Sequence, residues 1–415
     1  MAKNHLNHWR SAMSTSQLYH NQELKGVRYL RTKFASGKTF YYGTISNSYI
    51  KCPKCNSHSV IRSGGVNRTF KLLPTGKRHN RLCLFIPRVV CKKCGTVRQV
   101  AVPFAEGQKS YSRALARYVL CLCQLIPLSH VAELCGLSWD TVKQIHKDGL
   151  RHKFRRIRLK NVRYIAIDEV CIGRPRKFLT IVLDLEKGRV LHIGKGKGSD
   201  ALKGFWKRLS HSKAKIRAVC TDMASGYMSA VEKHLPEALL IIDHFHLVKY
   251  MNDKLTQLRR DLARKADGPE KEILKGTRWL LVTGRKKLED EKNPRAADLA
   301  ALDEALKENT PLYIAYYLKE ELASLWTKSS KAEAEAFLDS WLTKAEGSGV
   351  AILEKVAKWL GKVKENILCW FDCRISSGKL EAFNGKIRRL LKNTCGLRDQ
   401  EYMFLRIQNL MDAKT

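Results

Sequence analysis

The stretch Tyr164-Ile165-Ala166-Ile167-Asp168, an apolar run that ends on a carboxylate, decides the fold of this chain. A longer apolar run, Lys177 to Leu185, follows it, and Val190 to Ile193 forms a third. The residues between the second and third runs include Gly188, which suits a tight turn. Runs of this length, rich in β-branched residues, predict a three-stranded antiparallel meander.

The pattern then changes to alternating helices and strands. Helical spacing is predicted for 200–209 and 225–235, and strands for 215–221 and 238–242. The fourth strand also ends on a carboxylate, Asp222. We predict an α/β domain with a mixed five-stranded sheet. The order of its elements matches a ribonuclease-H-like layout, in which the first and fourth strands are neighbours.

A third acidic residue lies on a predicted helix much later in the chain. Glu381 belongs to the segment Gly378 to Asn384 and lies 159 positions after Asp222. Carboxylates at strand ends and on a nearby helix can hold two divalent cations roughly 4 Å apart, a geometry that cleaves and joins phosphodiesters. Oxygen ligands favour Mg²⁺ or Mn²⁺. We predict that Asp168, Asp222 and Glu381 bind these ions.

The charge of the chain points to a polyanionic substrate. The 415 residues include 77 Lys and Arg against 39 Asp and Glu, a net charge of +38. Such a field attracts DNA or RNA, although a generic basic surface remains an alternative. No apolar run approaches the ~20 residues that a membrane span needs, and the polar start does not resemble a signal peptide. We expect a cytoplasmic, nucleoid-associated protein without a membrane partner.

Two Cys-x-x-Cys pairs precede the catalytic region. They are Cys52 with Cys55 and Cys91 with Cys94, and 36 positions separate Cys55 from Cys91. Four thiolates form a closed tetrahedral site that suits structural Zn²⁺. Free or redox-active cysteines are the alternative interpretation. The residues between the pairs are basic, which is consistent with phosphate contacts.

The segment Ser129 to Ile145 has the pattern of a helix-turn-helix. Gly136 makes the turn, Ser138 caps the second helix, and Val142 faces inward. An ordinary helical hairpin is the alternative. The residues predicted to contact DNA are Trp139, Thr141, Lys143, Gln144, Lys147 and Arg151.

Several segments resemble those of bacterial insertion-sequence DDE transposases of the ISL3 family. They are IDEV, TDMASGY, IIDHFHLVK and SSGKLEAFNGKIRRLLKNTCGLRD, which begin at Ile167, Thr221, Ile241 and Ser376. The resemblance covers roughly residues 45–412. It implies a catalytic triad of Asp168, Asp222 and Glu381, and a helical insertion that interrupts the catalytic fold.

The resulting domain prediction has six parts. They are an N-terminal segment (1–45), which includes a short hairpin at 33–45, a zinc-binding β module (46–105), a helix-turn-helix domain (111–160), the first part of the catalytic core (161–249), an all-α insertion (250–375) and the second part of the core (376–415). We expect the tryptophans of the insertion to lie in its core, and one of them could instead stack on a flipped base. These are Trp279, Trp326, Trp341, Trp359 and Trp370.

Other residues near the triad receive supporting roles. Asp243, His246 and Asn384 are predicted to lie beside the metal site, whereas Glu169 points to the other face of its strand. Lys386 and Arg388 follow Glu381 on its helix and could contact phosphate.

The predicted function is that of a DNA transposase that binds terminal inverted repeats, hydrolyses phosphodiesters with two metal ions and transfers the strand. Its partners would be double-stranded DNA at the element's ends and target, and a second copy in a homodimer. The alternatives are a catalytically idle DNA-binding regulator and a nuclease of the same fold that acts on other nucleic acid.

Overall fold

The computed structural model describes residues 17–173, 177–290, 299–394 and 397–411. The chain divides into two compact units, Met1–Arg155 and Arg156–Thr415, each of which is described by itself.

The N-terminal unit contains a five-stranded sheet. Its elements begin with α1 (Gln17–His20), β1 (Val27–Ala35), β2 (Lys38–Ile45), β3 (Val60–Lys71), β4 (His79–Cys91) and β5 (Val97–Gln99). The strand order is β1-β2-β4-β3, and β5 pairs with β4. β2 and β4 run parallel, whereas the other pairs are antiparallel.

The predicted N-terminal hairpin is confirmed as β1 and β2. Its two-residue loop, Ser36-Gly37, has positive φ at both positions, 49° and 70°, which matches the twist of the flanking strands. The first strand begins earlier than predicted because Val27 already pairs with Ile45.

The central strand β4 explains how this sheet acquires a core. Leu82, Leu84 and Ile86 alternate along it and are almost fully buried. They pack with Phe70 of β3 in one apolar cluster. Since successive strand residues point to opposite faces, the other face of the sheet remains outside this core.

Three helices complete the N-terminal unit: α2 (Arg113–Leu122), α3 (Leu128–Cys135) and α4 (Trp139–Lys153). The predicted turn is present, with Gly136 in the left-handed conformation at φ 59°. Ser138 caps α4, because its Oγ accepts from the backbone N–H of Thr141 at 3.3 Å. Val142 and Ile145 are buried, as the helix-turn-helix pattern predicts.

The C-terminal unit contains the second five-stranded sheet. Its strands are β6 (Tyr164–Gly173), β7 (Lys177–Asp184), β8 (Arg189–Lys195), β9 (Ala218–Thr221) and β10 (Leu239–Ile242). The order is β10-β9-β6-β7-β8. β6, β7 and β8 form the predicted antiparallel meander, and β6, β9 and β10 run parallel. The prediction of a mixed sheet in an α/β fold is confirmed.

Helices surround this sheet and extend the unit. They are α5 (Lys203–Ser210), α6 (Ser225–His234), α7 (His244–Lys265), α8 (Gly268–Gly276), α9 (Arg278–Val282), α10 (Arg285–Leu288), α11 (Leu299–Glu308), α12 (Thr310–Ala323), α13 (Lys331–Glu346), α14 (Ala351–Lys362), α15 (Lys364–Cys373), α16 (Gly378–Asn393) and α17 (Gln400–Asn409). Those from α7 to α15 lie between β10 and α16 in sequence and share one apolar core.

Trp341 lies in the centre of this helical core. It is fully buried, and its Nε1 donates to the carbonyl of Leu318 at 2.8 Å. Trp326 and Trp359 pack partly buried against the same core. The expectation of a core position is wrong for Trp279, which is 54% exposed.

The two faces of the second sheet are covered by different helices. Ile165 and Ile167 of β6 pack with residues of α5 and α6. Ala166 and Val170, which alternate with them, pack with α16 and α17. Asp168 follows the parity of Ala166 and Val170, so it lies on the α16 side of the sheet.

Among the residues that the structure describes, no helix is long and apolar enough to cross a membrane.

Candidate active site and zinc-binding cluster

Three aspartates follow the paired segments of the three parallel strands. Ile167 of β6 pairs with Thr221 of β9, and β9 is aligned in the same way with β10. The next residues along these strands are Asp168, Asp222 and Asp243. Because parallel strands point their carboxyl ends the same way, the three carboxylates, here called the carboxylate cluster, meet at one edge of the sheet.

Asp168 is held by donors on both of its oxygens. Only 7% of the residue is exposed. Oδ1 accepts from the backbone N–H of Glu169, and Oδ2 accepts from Nδ2 of Asn384 on α16, each at 2.7 Å. Nε2 of His246 lies 4.0 Å from Oδ1. Asn384 and His246 thus lie beside Asp168, and their place beside a metal site stays a prediction.

Asp222 occupies the loop between β9 and α6. Its Oδ1 accepts from the backbone N–H of Ala224 at 3.0 Å, which fixes the orientation of the carboxylate just before the helix. The side chain is half-buried, so it is more accessible than that of Asp168.

Asp243 joins the end of β10 to the beginning of α16. It is 1% exposed, and its Oδ1 accepts from the backbone N–H of Ser377 at 3.0 Å. Nδ1 of His246 lies 3.4 Å from its Oδ2. Ser377 is the residue immediately before α16. The two bonded residues are 134 positions apart in sequence, and the helices α7 to α15 lie between them.

Glu381 lies in the first turn of α16 and is half-buried. Its backbone N–H donates to the carbonyl of Ser377 at 2.9 Å. Asn384 follows three residues later on the same side of the helix. The two contacts of α16, one from Ser377 to Asp243 and one from Asn384 to Asp168, therefore lie on either side of Glu381 in sequence.

The carboxylate cluster carries charge in a poorly solvated position. Burial raises the pKa of Asp168 to about 6, and the neighbouring Asp222 raises it further against the opposing effect of His246. Burial likewise raises the pKa of Asp222. Glu169 on the opposite face also has a raised pKa, from burial and from Asp222. A bound cation would favour the ionised forms of these groups.

Asp243 behaves in the opposite way. Burial acts to raise its pKa, but the contact with His246 and the N–H of Ser377 outweigh it, and the pKa is lowered. The pKa of His246 is raised, because Asp243 and Asp168 outweigh the effect of its burial. Groups of the protein thus favour the ionised form of Asp243.

The donor set at the sheet edge fits a hard divalent cation. Within the described residues, Oδ1 of Asn384 is buried and accepts no hydrogen bond. An amide oxygen beside carboxylates is the ligand chemistry that Mg²⁺ and Mn²⁺ prefer. The acidic groups are not compact, however. In the described ranges, only four cysteines bring three or more potential metal-ligand atoms within 4.8 Å of one another.

Those four cysteines form the predicted zinc-binding group, here called the cysteine cluster: Cys52, Cys55, Cys91 and Cys94. The Sγ atoms of Cys52 and Cys94 are 3.6 Å apart, and those of Cys55 and Cys91 are 3.5 Å apart. Four thiolates around Zn²⁺ at about 2.3 Å would be separated by about 3.8 Å. The cluster therefore fits a tetrahedral zinc ion.

The N-terminal part of α4 carries the residues predicted to read DNA. Trp139 is 49% exposed, and Nζ of Lys143 lies 5.5 Å from the centre of its ring. Gln144 donates to Oδ1 of Asp148 at 2.8 Å, and Arg151 contacts the same oxygen at 3.3 Å. Asp148 therefore orients two of the predicted DNA-contacting side chains.

The remaining predicted contacts have different environments. The hydroxyl of Thr141 lies 2.8 Å from that of the capping residue Ser138. Lys147 is half-buried on α4, and Lys386 and Arg388 are exposed on α16. Their role towards DNA stays a prediction. Sequence reasoning missed Ser377, whose backbone N–H binds Asp243; only its place before the helix that carries Glu381 could have indicated it.

Two family models match the chain. One, described as "Transposase", matches residues 165–407, and the other, described as "Helix-turn-helix domain of transposase family ISL3", matches residues 92–149.

Two relatives are transposases of insertion sequences. The transposase for insertion sequence element IS1001 of Bordetella parapertussis is 31% identical over 334 residues, 79% of this chain and 81% of that protein. The transposase for IS1557 of Mycobacterium tuberculosis is 27% identical over 377 residues, 85% of this chain and 83% of that protein.

A solved structure, the Drosophila P element transposase strand transfer complex, matches with 12% identity and a TM-score of 0.39, covering 78% of this chain and 94% of that one. A TM-score this low does not define a shared fold. The family model over residues 165–407 and the relative at 31% identity suffice by themselves: the chain belongs to the ISL3 family of transposases.

Proposed function

We propose that this transposase cuts DNA at the ends of its insertion sequence and joins the freed ends to target DNA, with Asp168, Asp222 and Glu381 as the catalytic carboxylates. One observation carries the proposal. Asp168 and Asp222 follow aligned residues of neighbouring parallel strands, and Asp168 bonds to Asn384, which lies one turn beyond Glu381.

The sheet of the C-terminal unit supports a ribonuclease-H-like core. Its first and fourth strands, β6 and β9, are neighbours, and β7 is antiparallel to both in direction. The helices from α7 to α15 would then be an insertion between β10 and the helix of the last catalytic residue. This arrangement accounts for the 159 positions between Asp222 and Glu381.

The carboxylates would hold Mg²⁺ or Mn²⁺. When bound, two such ions activate a water or a 3′-hydroxyl for attack on a phosphodiester and neutralise the leaving oxygen. The protein's own contribution is to orient the ligands. The backbone N–H of Glu169 and Nδ2 of Asn384 fix both oxygens of Asp168, and Asp243 anchors the start of the Glu381 helix through Ser377.

The remaining parts of the proposal concern binding and assembly. The helix-turn-helix would recognise the terminal inverted repeats in double-stranded DNA, and the cysteine cluster would hold structural Zn²⁺. Lys386 and Arg388 would contact phosphates beside the cut. Since both ends of an element must be joined, a homodimer is proposed, and a DNA substrate implies a cytoplasmic, nucleoid-associated protein.

The test is cleavage of a labelled duplex from the element's end in the presence of Mg²⁺. Asp168→Asn, Asp222→Asn and Glu381→Gln should each lower the rate at least about 100- to 1,000-fold, the range seen when a preorganised electrostatic group is lost. Binding of the same duplex should persist, because none of these residues lies in the N-terminal unit.

Asp200→Asn is the matched control, since Asp200 is an exposed aspartate paired with Lys203. A triad variant that cleaves at the control's rate would remove that residue from the site. If the unmodified chain binds the duplex and never cleaves it, the idle regulator is favoured. Cleavage of RNA in preference to DNA would favour the nuclease alternative.

A further inference from the structure

The sheet of the N-terminal unit lies in a segment without acidic residues. Between Leu24 and Ala105 the chain has 17 Lys and Arg and no Asp or Glu. The whole chain has 39 acidic residues, so this gap is a local property of the sheet. The positive charges of its strands therefore have no carboxylates on the same sheet to neutralise them.

The strand register brings several of these charges into one row. Lys33 of β1 pairs with Phe40 of β2, Phe40 aligns with Arg81 of β4, and Arg81 pairs with Lys71 of β3. Paired residues share a face, and the alternate residues on β4, such as Leu82, are buried in the core. The row therefore crosses all four strands on the side away from the core.

Neighbouring positions on the same face also carry cationic and aromatic side chains. Arg31 pairs with Tyr42, and its guanidinium carbon lies 4.7 Å from the centre of that ring. Lys38 pairs with His79 in the neighbouring row on the same face. We call the surface defined by Arg31, Lys33, Lys38, Tyr42, Lys71 and Arg81 the outer face. At about 4.8 Å between strands, it is roughly 14 Å wide.

The cations of the outer face lie close together without counter-charges among the described residues. In the described part of the chain, Arg31, Lys33, Lys38, Lys71 and Arg81 form no ion pair. Nη1 of Arg81 is buried, so this guanidinium adds positive charge to the outer face rather than a direct phosphate contact. Burial lowers the pKa of Lys71, and repulsion from Arg81 and Lys38 lowers it further. Like charges held together without counter-charges favour an anionic ligand.

The outer face adjoins the helix-turn-helix. Nη2 of Arg81 donates to the carbonyl of Gly136 at 3.3 Å, and Nε2 of His79 lies 3.2 Å from the carbonyl of Glu133. Gly136 is the turn residue two positions before Ser138, the cap of α4. A duplex that meets the beginning of α4 has the outer face beside it in the same compact unit.

We propose that the outer face binds the sugar-phosphate backbone of duplex DNA next to the segment that α4 contacts. The hairpin β1–β2 thereby becomes part of the DNA-binding surface. Contacts of this kind position the protein and add affinity without reading sequence. The proposal rests on duplex DNA as the ligand and is independent of the catalytic triad.

The experiment measures the affinity of the full chain for two duplexes, one from the element's end and one unrelated, over a series of NaCl concentrations. The variant is Lys33→Gln/Lys38→Gln, since both side chains are exposed. Each lost phosphate contact should reduce the slope of log K against log [NaCl] by about 0.9. We expect a reduction of about 1.8 in all, and, with lines that meet near ~1 M NaCl, roughly 60-fold weaker binding of both duplexes at 0.1 M NaCl.

The charge-matched control is Lys358→Gln/Lys362→Gln, which removes two exposed lysines from α14. Its slope should equal that of the unmodified chain. Cleavage at saturating protein should be unchanged in both variants, so a failure here is distinct from a failure of the proposed triad. An unaltered slope in Lys33→Gln/Lys38→Gln, or an equal change in the control, would overturn the proposal. Weaker binding of only the duplex from the element's end would indicate that these lysines read base sequence. That result would also overturn the proposal.

Discussion

The cysteine cluster and the carboxylate cluster gather potential metal ligands in opposite ways. The four Sγ atoms all lie within 4.8 Å of one another and come from two short turns. The aspartates come from three strands, and protein donors already hold both oxygens of Asp168. A closed thiolate group supplies every ligand of its metal, whereas an open oxygen group leaves positions for water and substrate.

The two clusters are therefore expected to change the free energy of unfolding in opposite directions. A metal ion bound to the cysteine cluster would add its binding free energy to the folding of the N-terminal unit. The carboxylate cluster instead stores unfavourable negative charge, which is why burial raises the pKa of Asp168 to about 6. Removing a thiol should therefore destabilise the protein, and neutralising Asp168 should stabilise it.

The largest effect is expected from Cys91→Ser. Structural zinc in small domains contributes an apparent ~10 kcal/mol or more, so the variant should lose its metal and the fold of its N-terminal unit. Metal analysis should find about one zinc per unmodified chain and none in the variant, and duplex binding should disappear. Cys83→Ser is the control, because Cys83 lies outside the cysteine cluster. Zinc retained in Cys91→Ser would contradict the claim that all four thiolates of the cysteine cluster hold the metal.

A smaller effect of the opposite sign is expected from Asp168→Asn. The folded pKa of Asp168 is raised to about 6, so its favourable contribution is full below the unfolded pKa of ~3.9 and is lost as pH rises through the folded value. Without metal at pH 7.5, the variant should unfold with a free energy roughly 3 kcal/mol higher. Urea unfolding followed by tryptophan fluorescence would measure it, since six of the eight tryptophans lie after residue 155.

The pH dependence of stability distinguishes a burial penalty on the Asp168 carboxylate from a general effect of the substitution. The unmodified chain should gain stability between pH 7.5 and 5, and Asp168→Asn should gain less. Asp200→Asn is the control, since Asp200 is exposed and paired with Lys203. Equal gains in the unmodified chain and Asp168→Asn would mean that Asp168 bears no burial penalty.

Local patterns accounted for much of the fold. The spacing of Cys52 and Cys55 was sufficient to predict half of the cysteine cluster, because two residues on one turn meet whatever surrounds them. The meander was equally local, since β6, β7 and β8 follow one another through short turns. The helix-turn-helix likewise needed only Gly136 and Ser138, whose conformations are set by their neighbours.

Contacts between distant segments were harder to predict. The outer face depends on the parallel pairing of β2 with β4, which no local pattern indicates. The bond from Ser377 to Asp243 joins residues on opposite sides of the helical region. Trp279 is exposed because its short helix presents it outside the core, although its composition resembled that of a buried segment.

The smallest effect concerns Asp243, which stands in the carboxylate cluster but behaves like a structural group. Its pKa is lowered, so its contribution to stability is present above the unfolded pKa of ~3.9 and is lost as pH falls through the folded value. Asp243→Asn should therefore lower the free energy of unfolding by about 1 kcal/mol at pH 7.5, the reverse of Asp168→Asn. The same urea titration measures both. If Asp243→Asn instead stabilised the chain, Asp243 would share the unrelieved charge of Asp168, and the anchor between β10 and α16 would lose its electrostatic basis.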